Sequence, residues 1–294
     1  WADRAMFPAA PATGDKPVVT VIAMTAKPLQ VMSVPASLYQ GRVVRDANDI
    51  TREEAMNFLD AFRSGKIAAP LEWIHIALLF ENVTRAFTHQ LVRQRTAVYV
   101  QESMRFAVKE NAAMEVALPP SLAHTAGGEP LGAERDTAEW QRNVWDQATG
   151  QIAEAYLHLV NSGIPAEDAR GLLPTNILTK IHYDTNLRNL VDHSGNRLCS
   201  QAQHEWKQVW AAIIRAIMAY GPKEDRWQQR AICSLFKPIC FQTGKCEFNT
   251  PIDRYCSIRA RVERHHENGD PPDSWTDIDP REPLHPRAAI DPRV

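Results

Sequence analysis

Between Leu71 and Phe106 the chain leaves folding few options. Leu71 to Phe80 is apolar enough for a strand, and Asn82 to Leu91 carries Val83, Ala86, Phe87 and Leu91 at helical spacing. The first reads as a strand and the second as a helix with one apolar face. The helix ends on Gln90-Leu91-Val92-Arg93-Gln94-Arg95, so its last turn must deliver a dense polar cluster to one place. If residues 99 to 106 then form a strand, alternation sets Gln101, Ser103 and Arg105 on one face, where a hydroxyl and a guanidinium jointly suit a phosphate or acyl oxygen. The same spacing also suits a solvated basic strand end.

The remaining elements frame this segment. Val18 to Met24 is β-branched and apolar and reads as an opening strand after a Pro-rich leader at 1–17. Thr51 to Phe62 reads as a helix whose first residues, Thr51-Arg52-Glu53-Glu54, have capping-box spacing. Residues 107–135 hold Pro119, Pro120, Gly127, Gly128 and Pro130 and read as a surface excursion. A helix from about Asp136 carries Trp140, Val144, Ala148, Ile152, Ala155 and Leu159 on one face and breaks at Ser162-Gly163. Another follows Gln201, with Ala202, Trp206, Val209, Trp210, Ile213 and Ile217 as its core stripe. The main domain spans 18–262, and the Pro- and Asp-rich stretch at 263–294 reads as an irregular tail. Neither a Gly-rich phosphate loop nor GxGxxG is present, which argues against a dinucleotide-binding Rossmann domain.

The formal charge of -2 is too small for wrapping duplex DNA, so no nucleic-acid partner is expected and any anion site is local. The amino end lacks the layout of a secretory signal, and no apolar run approaches the roughly eighteen residues of a membrane span. A soluble, cytoplasmic protein without a membrane partner is the expectation. Cys240, Cys246 and Cys256 beside His265 and His266 do not have the close cysteine pairing of common zinc sites, so no metal is expected.

Two more polar clusters follow: Ala169-Arg170-Gly171-Leu172-Leu173-Pro174, and Asn186 through His193 ending in Arg197. On a helix Asn186, Asn189, Leu190, His193 and Arg197 share a face, with Ser194-Gly195-Asn196 able to interrupt the last turn. Glu102 reads as a solvated strand carboxylate, Glu167 as a residue that orients Arg170, and His89 and His193 as packing or solvent residues. The residues alone describe a planar, anionic ligand met by several arginines.

Arg93-Gln94-Arg95 followed after seven residues by Ser103 resembles the signature of the flavin-dependent thymidylate synthases. Arg170, Leu173-Pro174, Asn176, Thr179, Asn186, Arg188, Arg197, Ala202-Gln203 and Glu205 continue that family's order. The resemblance implies a mixed α/β fold, a central sheet flanked by helices and not a Rossmann fold, assembled as a homotetramer whose sites pool arginines from several chains. It implies FAD as cofactor, NADPH and methylenetetrahydrofolate as co-substrates, and a pyrimidine nucleoside monophosphate as partner. By resemblance the nucleotide contacts are Gln90, Arg93, Gln101, Ser103, Arg105, Arg170 and Arg197. The FAD contacts are Arg93, Gln94, Arg95, Gln101, Asn186, Arg188 and Asp192. Arg197 takes the catalytic place, beside N3 of the uracil ring, where a fixed cation favours the N3 anion and enriches C5 in electrons.

The chain departs from the family pattern near the flavin and the base. Gln94 replaces the middle histidine, Gln101 an acidic residue, Phe106 a tyrosine and Asp192 an asparagine, while Ile67-Ala68-Ala69-Pro70 and Glu72-Trp73 stand where a His-x-Thr-Pro segment and a Glu-His pair are usual. The expected activity is reductive C5 methylation of dUMP to dTMP. Two alternatives stand beside it: methylation or hydroxymethylation of another pyrimidine nucleotide such as UMP or dCMP, and a non-catalytic nucleotide-binding protein.

Overall fold

The computed structural model describes residues 16–64, 68–112, 115–122, 133–199 and 202–243. In chain order the strands and helices are β1 (Val18–Met24), α1 (Pro28–Ser37), α2 (Arg52–Ser64), β2 (His75–Thr84), α3 (Arg85–Leu91), β3 (Val98–Gln101), α4 (Ala133–Asn161), the single turn α5 (Ala166–Ala169), β4 (Leu178–Asn186), α6 (Leu187–Arg197), α7 (His204–Ala219), α8 (Arg226–Cys233) and α9 (Ile239–Thr243). The strands make one four-stranded antiparallel sheet in the order β1-β2-β4-β3, so the molecule is mixed α/β. Two compact units share the chain. One takes residues 78–183 with the amino-terminal residues through Thr20, and the other takes residues 21–77 and those from Asp184 onward.

In the first unit, Leu78, Phe80 and Val83 of β2, Phe87 and Leu91 of α3 and Ile181 and Tyr183 of β4 are buried. Phe80 meets both Phe87 and Tyr183 at ring separations of 6.0 Å, and Tyr183 stacks on Tyr99 at 5.4 Å. A smaller cluster under α4 buries Ala112, Ala153, Tyr156 and Ala169. Gly163 ends α4 at a φ of 92°, its amide donating to Val160 O while the Ile164 amide donates to Leu159 O. That reciprocal pattern needs a left-handed residue, which glycine supplies without strain.

In the second unit, α1 packs on α2, and α6 packs on α7 and α9. The stripe Trp206, Val209, Trp210, Ile213 and Ile217 is buried as its spacing implies, while Ala202 precedes the helix. The capping box is realised: the Glu54 amide donates to Thr51 Oγ1 at 3.2 Å and the Thr51 amide to Glu54 Oε2 at 3.0 Å. No helix among the described residues is long and apolar enough to cross a membrane.

Several boundaries differ from the expected ones. Ala69–Trp73 is a 3-10 turn, its Leu71 amide donating to Ala68 O and the Ile74 amide to Leu71 O, and the strand starts at His75. The strand continues to Thr84, whose hydroxyl then caps α3 by accepting from the Phe87 amide at 3.0 Å. α6 runs unbroken through Ser194-Gly195-Asn196, with the Leu198 amide still donating to Ser194 O at 2.9 Å and the Ser194 hydroxyl donating to Val191 O. The face of α4 is also displaced: Thr149, Ala153 and Tyr156 are buried, whereas Trp140 and Val144 are exposed. Part of the expected surface excursion is built in, since Lys109 and Ala112 are buried and Val116 bridges Ile177. Cys246, Cys256, His265, His266 and the 263–294 tail lie outside the described residues.

Candidate active site

The polar cluster of the first unit sits on the turn between α3 and β3. Thr96 adopts a φ of 63° there, a left-handed conformation that costs a β-branched residue of order 1–2 kcal/mol and reverses the chain within a few residues. Tyr99 holds that turn from below. Its Oη lies 2.9 Å from both the Leu91 and Gln94 carbonyl oxygens and shares one proton between them. Burial pushes the phenol up to about 12, so it remains a donor at neutral pH. Gln94 is pinned as well, its Oε1 accepting from Tyr183 Oη at 2.8 Å. Arg93 and Arg95 are left exposed on the rim of the turn.

β3 ends at Gln101, so Ser103 and Arg105 do not continue an alternating strand face. The backbone curls into a helical turn instead, the Phe106 and Ala107 amides both donating to Ser103 O. Gln101 points inward, its Nε2 donating to Thr88 Oγ1 at 2.9 Å, while Ser103 and Arg105 are exposed. Glu167 does not orient Arg170 through its carboxylate. That carboxylate takes Arg105 in a two-point pair at 2.8 and 2.9 Å, and Arg170 Nε donates to the Glu167 backbone oxygen at 3.1 Å. Nor is Glu102 a solvated strand carboxylate: it accepts from the buried Lys109 at 2.9 Å and from Thr179 Oγ1 at 3.2 Å.

The structure adds Arg85, which the sequence reading passed over. It is half-buried at the first turn of α3, and its guanidinium is pulled below its ordinary value by burial and then by the charge of Arg170, with Glu102 opposing. Two cations that raise each other's energy in a partly desolvated place gain from an anion between them. Arg85 and Arg170 therefore act on each other as like charges, while Arg105 is paired with Glu167. The readable signal was a cation on the first turn of a helix, where the macrodipole disfavours it.

The second unit holds the other cluster along α6. Asn186 is not on the helix face but is its N-cap, accepting from the Asn189 amide at 2.9 Å. Arg188 pairs with Glu72 at 2.6 Å. Burial raises the Asp192 carboxyl, Arg188 lowers it and Glu72 raises it further. Arg197 Nε lies 3.3 Å from His193 Nε2 and its guanidinium sits over the Trp206 ring at 4.8 Å. His193 is buried edge-on against Trp206, as a packing residue. Burial and then Arg197 push it down to about 3, which keeps the imidazole neutral and its Nε2 able to accept a hydrogen bond from Arg197 Nε.

With these groups placed, comparison with known proteins decides the family. Residues 20–223 match the model of the family described as thymidylate synthase complementing protein. The chain belongs to the flavin-dependent thymidylate synthase family. It is similar to the flavin-dependent thymidylate synthase of Geobacter sulfurreducens, 33% identical over 60% of this chain and 68% of the relative. It is also similar to that of Pyrococcus furiosus, 28% identical over 83% of this chain and 94% of the relative. Among solved structures, the fold is shared with the UMP/dUMP methylase PolB from Streptomyces cacaoi bound with 5-Br dUMP. The TM-score is 0.53 at 20% identity, over 69% of this chain and 90% of that one.

As a flavin-dependent thymidylate synthase relative, the chain is an enzyme, and its expected contacts divide between the units. The first carries Gln90, Arg93, Gln94, Arg95, Gln101, Ser103, Arg105 and Arg170, and the second carries Asn186, Arg188, Asp192 and Arg197. The donor chemistry fits FAD. In the first unit the exposed Arg93 and Arg95 are forked cations of the kind a diphosphate takes and Gln94 presents an amide fixed by Tyr183; in the second, the half-buried Arg188 is paired with Glu72.

Proposed function

We propose that this enzyme methylates C5 of a pyrimidine nucleoside monophosphate, dUMP foremost, with methylenetetrahydrofolate as carbon donor and NADPH as reductant. What supports the reading is the family match over residues 20–223, with Ser103 and Arg105 of the family's motif both exposed on one short loop. The half-buried Arg85 of the same unit adds a further cation for an anionic ligand in a chain of net charge -2. Arg93 and Gln90 complete the nucleotide contacts. Arg93, Gln94, Arg95, Gln101, Asn186, Arg188 and Asp192 would hold FAD, which supplies the hydride when reduced.

Arg197 carries the catalytic role in this reading. Its guanidinium, held between His193 and Trp206, stabilises the N3 anion of the uracil ring and so makes C5 nucleophilic without an enzymic nucleophile. Ser103 binds rather than attacks. The expected assembly is a cytoplasmic homotetramer. Exposed Val98 and Val100 on the edge strand β3 and Phe106, 81% exposed, support burial against further copies.

A second reading is favoured by Gln94, whose carbonyl is committed to Tyr183 where the family usually has a histidine. Such a change retunes base or sugar preference, and the substrate then includes UMP or dCMP. The test is anaerobic incubation with FAD, NADPH, methylenetetrahydrofolate and each of dUMP, UMP, dCMP and CMP, followed by mass spectrometry. A methyl increment on dUMP supports the first reading. An increment on UMP or dCMP alone, or a hydroxymethyl increment, supports the second. Bound nucleotide without any increment sinks both.

A further inference from the structure

Lys109 belongs to none of the ligand contacts above, yet it is buried, 5% exposed, with its ammonium between two carboxylates. Nζ donates to Glu102 at 2.9 Å and to Glu115 at 2.7 Å. Burial disfavours the cation, but the bonds from Glu115 and Glu102 outweigh it and hold Lys109 above its ordinary value. The backbone is tied at the same points: the Lys109 amide donates to Tyr156 Oη at 3.1 Å and the Glu102 amide to Lys180 O at 3.0 Å.

The position in sequence gives this ion pair its meaning. Glu102 stands immediately before Ser103, and Lys109 closes the segment that holds Ser103 and Arg105. The pair therefore joins the two ends of the loop that presents both side chains. Glu102 also acts electrostatically on Arg85, opposing the depression that burial and Arg170 cause. Paired to Lys109 and Thr179, its carboxylate is held by groups other than the anion-binding arginines.

We propose that Lys109 is a positioning residue for the nucleotide, clamping the Ser103–Arg105 loop through Glu102 and Glu115. The proposal rests on the reading of Ser103 and Arg105 as nucleotide contacts. Removing one partner of a buried pair leaves an uncompensated charge, whereas removing both charges relieves it. The clamp therefore has a signature in a pair of variants that loop packing alone lacks.

The test titrates the full-length flavin-loaded protein with dUMP by calorimetry and measures KM, kcat and melting temperature for the parent, K109M and E102Q/K109M. The expected result for K109M is a loss of dUMP affinity of about tenfold, matched in KM, with flavin content unchanged and saturated kcat within about threefold. E102Q/K109M is expected to recover about half of that loss on a logarithmic scale, since the stray charge is gone and the clamp is still missing. It also carries the test if K109M does not fold. Parent-like affinity in the folded variants, with only the melting temperature lowered, would overturn the proposal, as would failure of the parent to bind dUMP. A parent that binds dUMP without methylating it sinks the proposed activity instead, and the affinity ratio still decides Lys109.

Discussion

His193 shows how one residue couples stability to the site. Its imidazole is neutral in the fold, with a pKa depressed from 6.5 to about 3. Its contribution to stability is thus complete above pH 6.5 and is lost as pH falls toward 3, because the unfolded chain takes up a proton that the native chain refuses. The expected slope from this group is up to about 1.4 kcal/mol per pH unit in that window. In urea melts from pH 7 to 4, His193→Phe should flatten the acid decline, and an unchanged slope would show that the buried imidazole does not govern it. At Arg85 the expectation concerns ligand rather than fold. Arg85→Met should weaken dUMP binding by about tenfold or more while leaving the melting temperature nearly unchanged, since one charge-assisted contact is lost and a like-charge repulsion with Arg170 is relieved. Arginines in a motif were readable from sequence; Arg85 had only its awkward place at a helix start. The pairing of Arg105 with Glu167, 62 positions apart, had no local signal at all.

Elements were legible where one force set them. The Thr51–Glu54 capping box and the α7 stripe follow from local hydrogen bonding and helical period, and both formed as read. The α4 face was misjudged because Trp140 and Val144 have the same helical spacing as the residues that are buried, and periodicity cannot say which of two faces meets the core. The alternating face considered for residues 99–106 stops at Gln101, because the Phe106 and Ala107 amides turn back onto Ser103 O instead of continuing a ladder. The turn from Val92 to Thr96 depends on Tyr99. Tyr99→Phe is therefore expected to cost about 1 kcal/mol in denaturant unfolding and to weaken FAD retention severalfold, followed by flavin fluorescence on dilution. Stability loss with full flavin retention would limit Tyr99 to a structural part.

At the scale of the molecule, the absence of a Rossmann fingerprint and the order of the arginine clusters already pointed to a mixed α/β enzyme of this family, and the sheet order with the family match agrees. That the expected contacts fall partly in one unit and partly in the other was not legible, because the units are assembled from segments far apart in sequence rather than from any motif. In the proposed homotetramer, the exposed Trp140 and Val144 of α4 would be covered by a second copy of the chain. Trp140→Lys with Val144→Lys should shift the protein to smaller species in sedimentation velocity; an unchanged distribution would place the interface elsewhere. The central claim is that the chemistry occurs at C5, and release of tritium from C5-labelled dUMP tests it most directly. With FAD, NADPH and methylenetetrahydrofolate present, the account predicts release in step with product and its loss in Arg197→Ala. Product formed with the label retained would contradict C5 substitution.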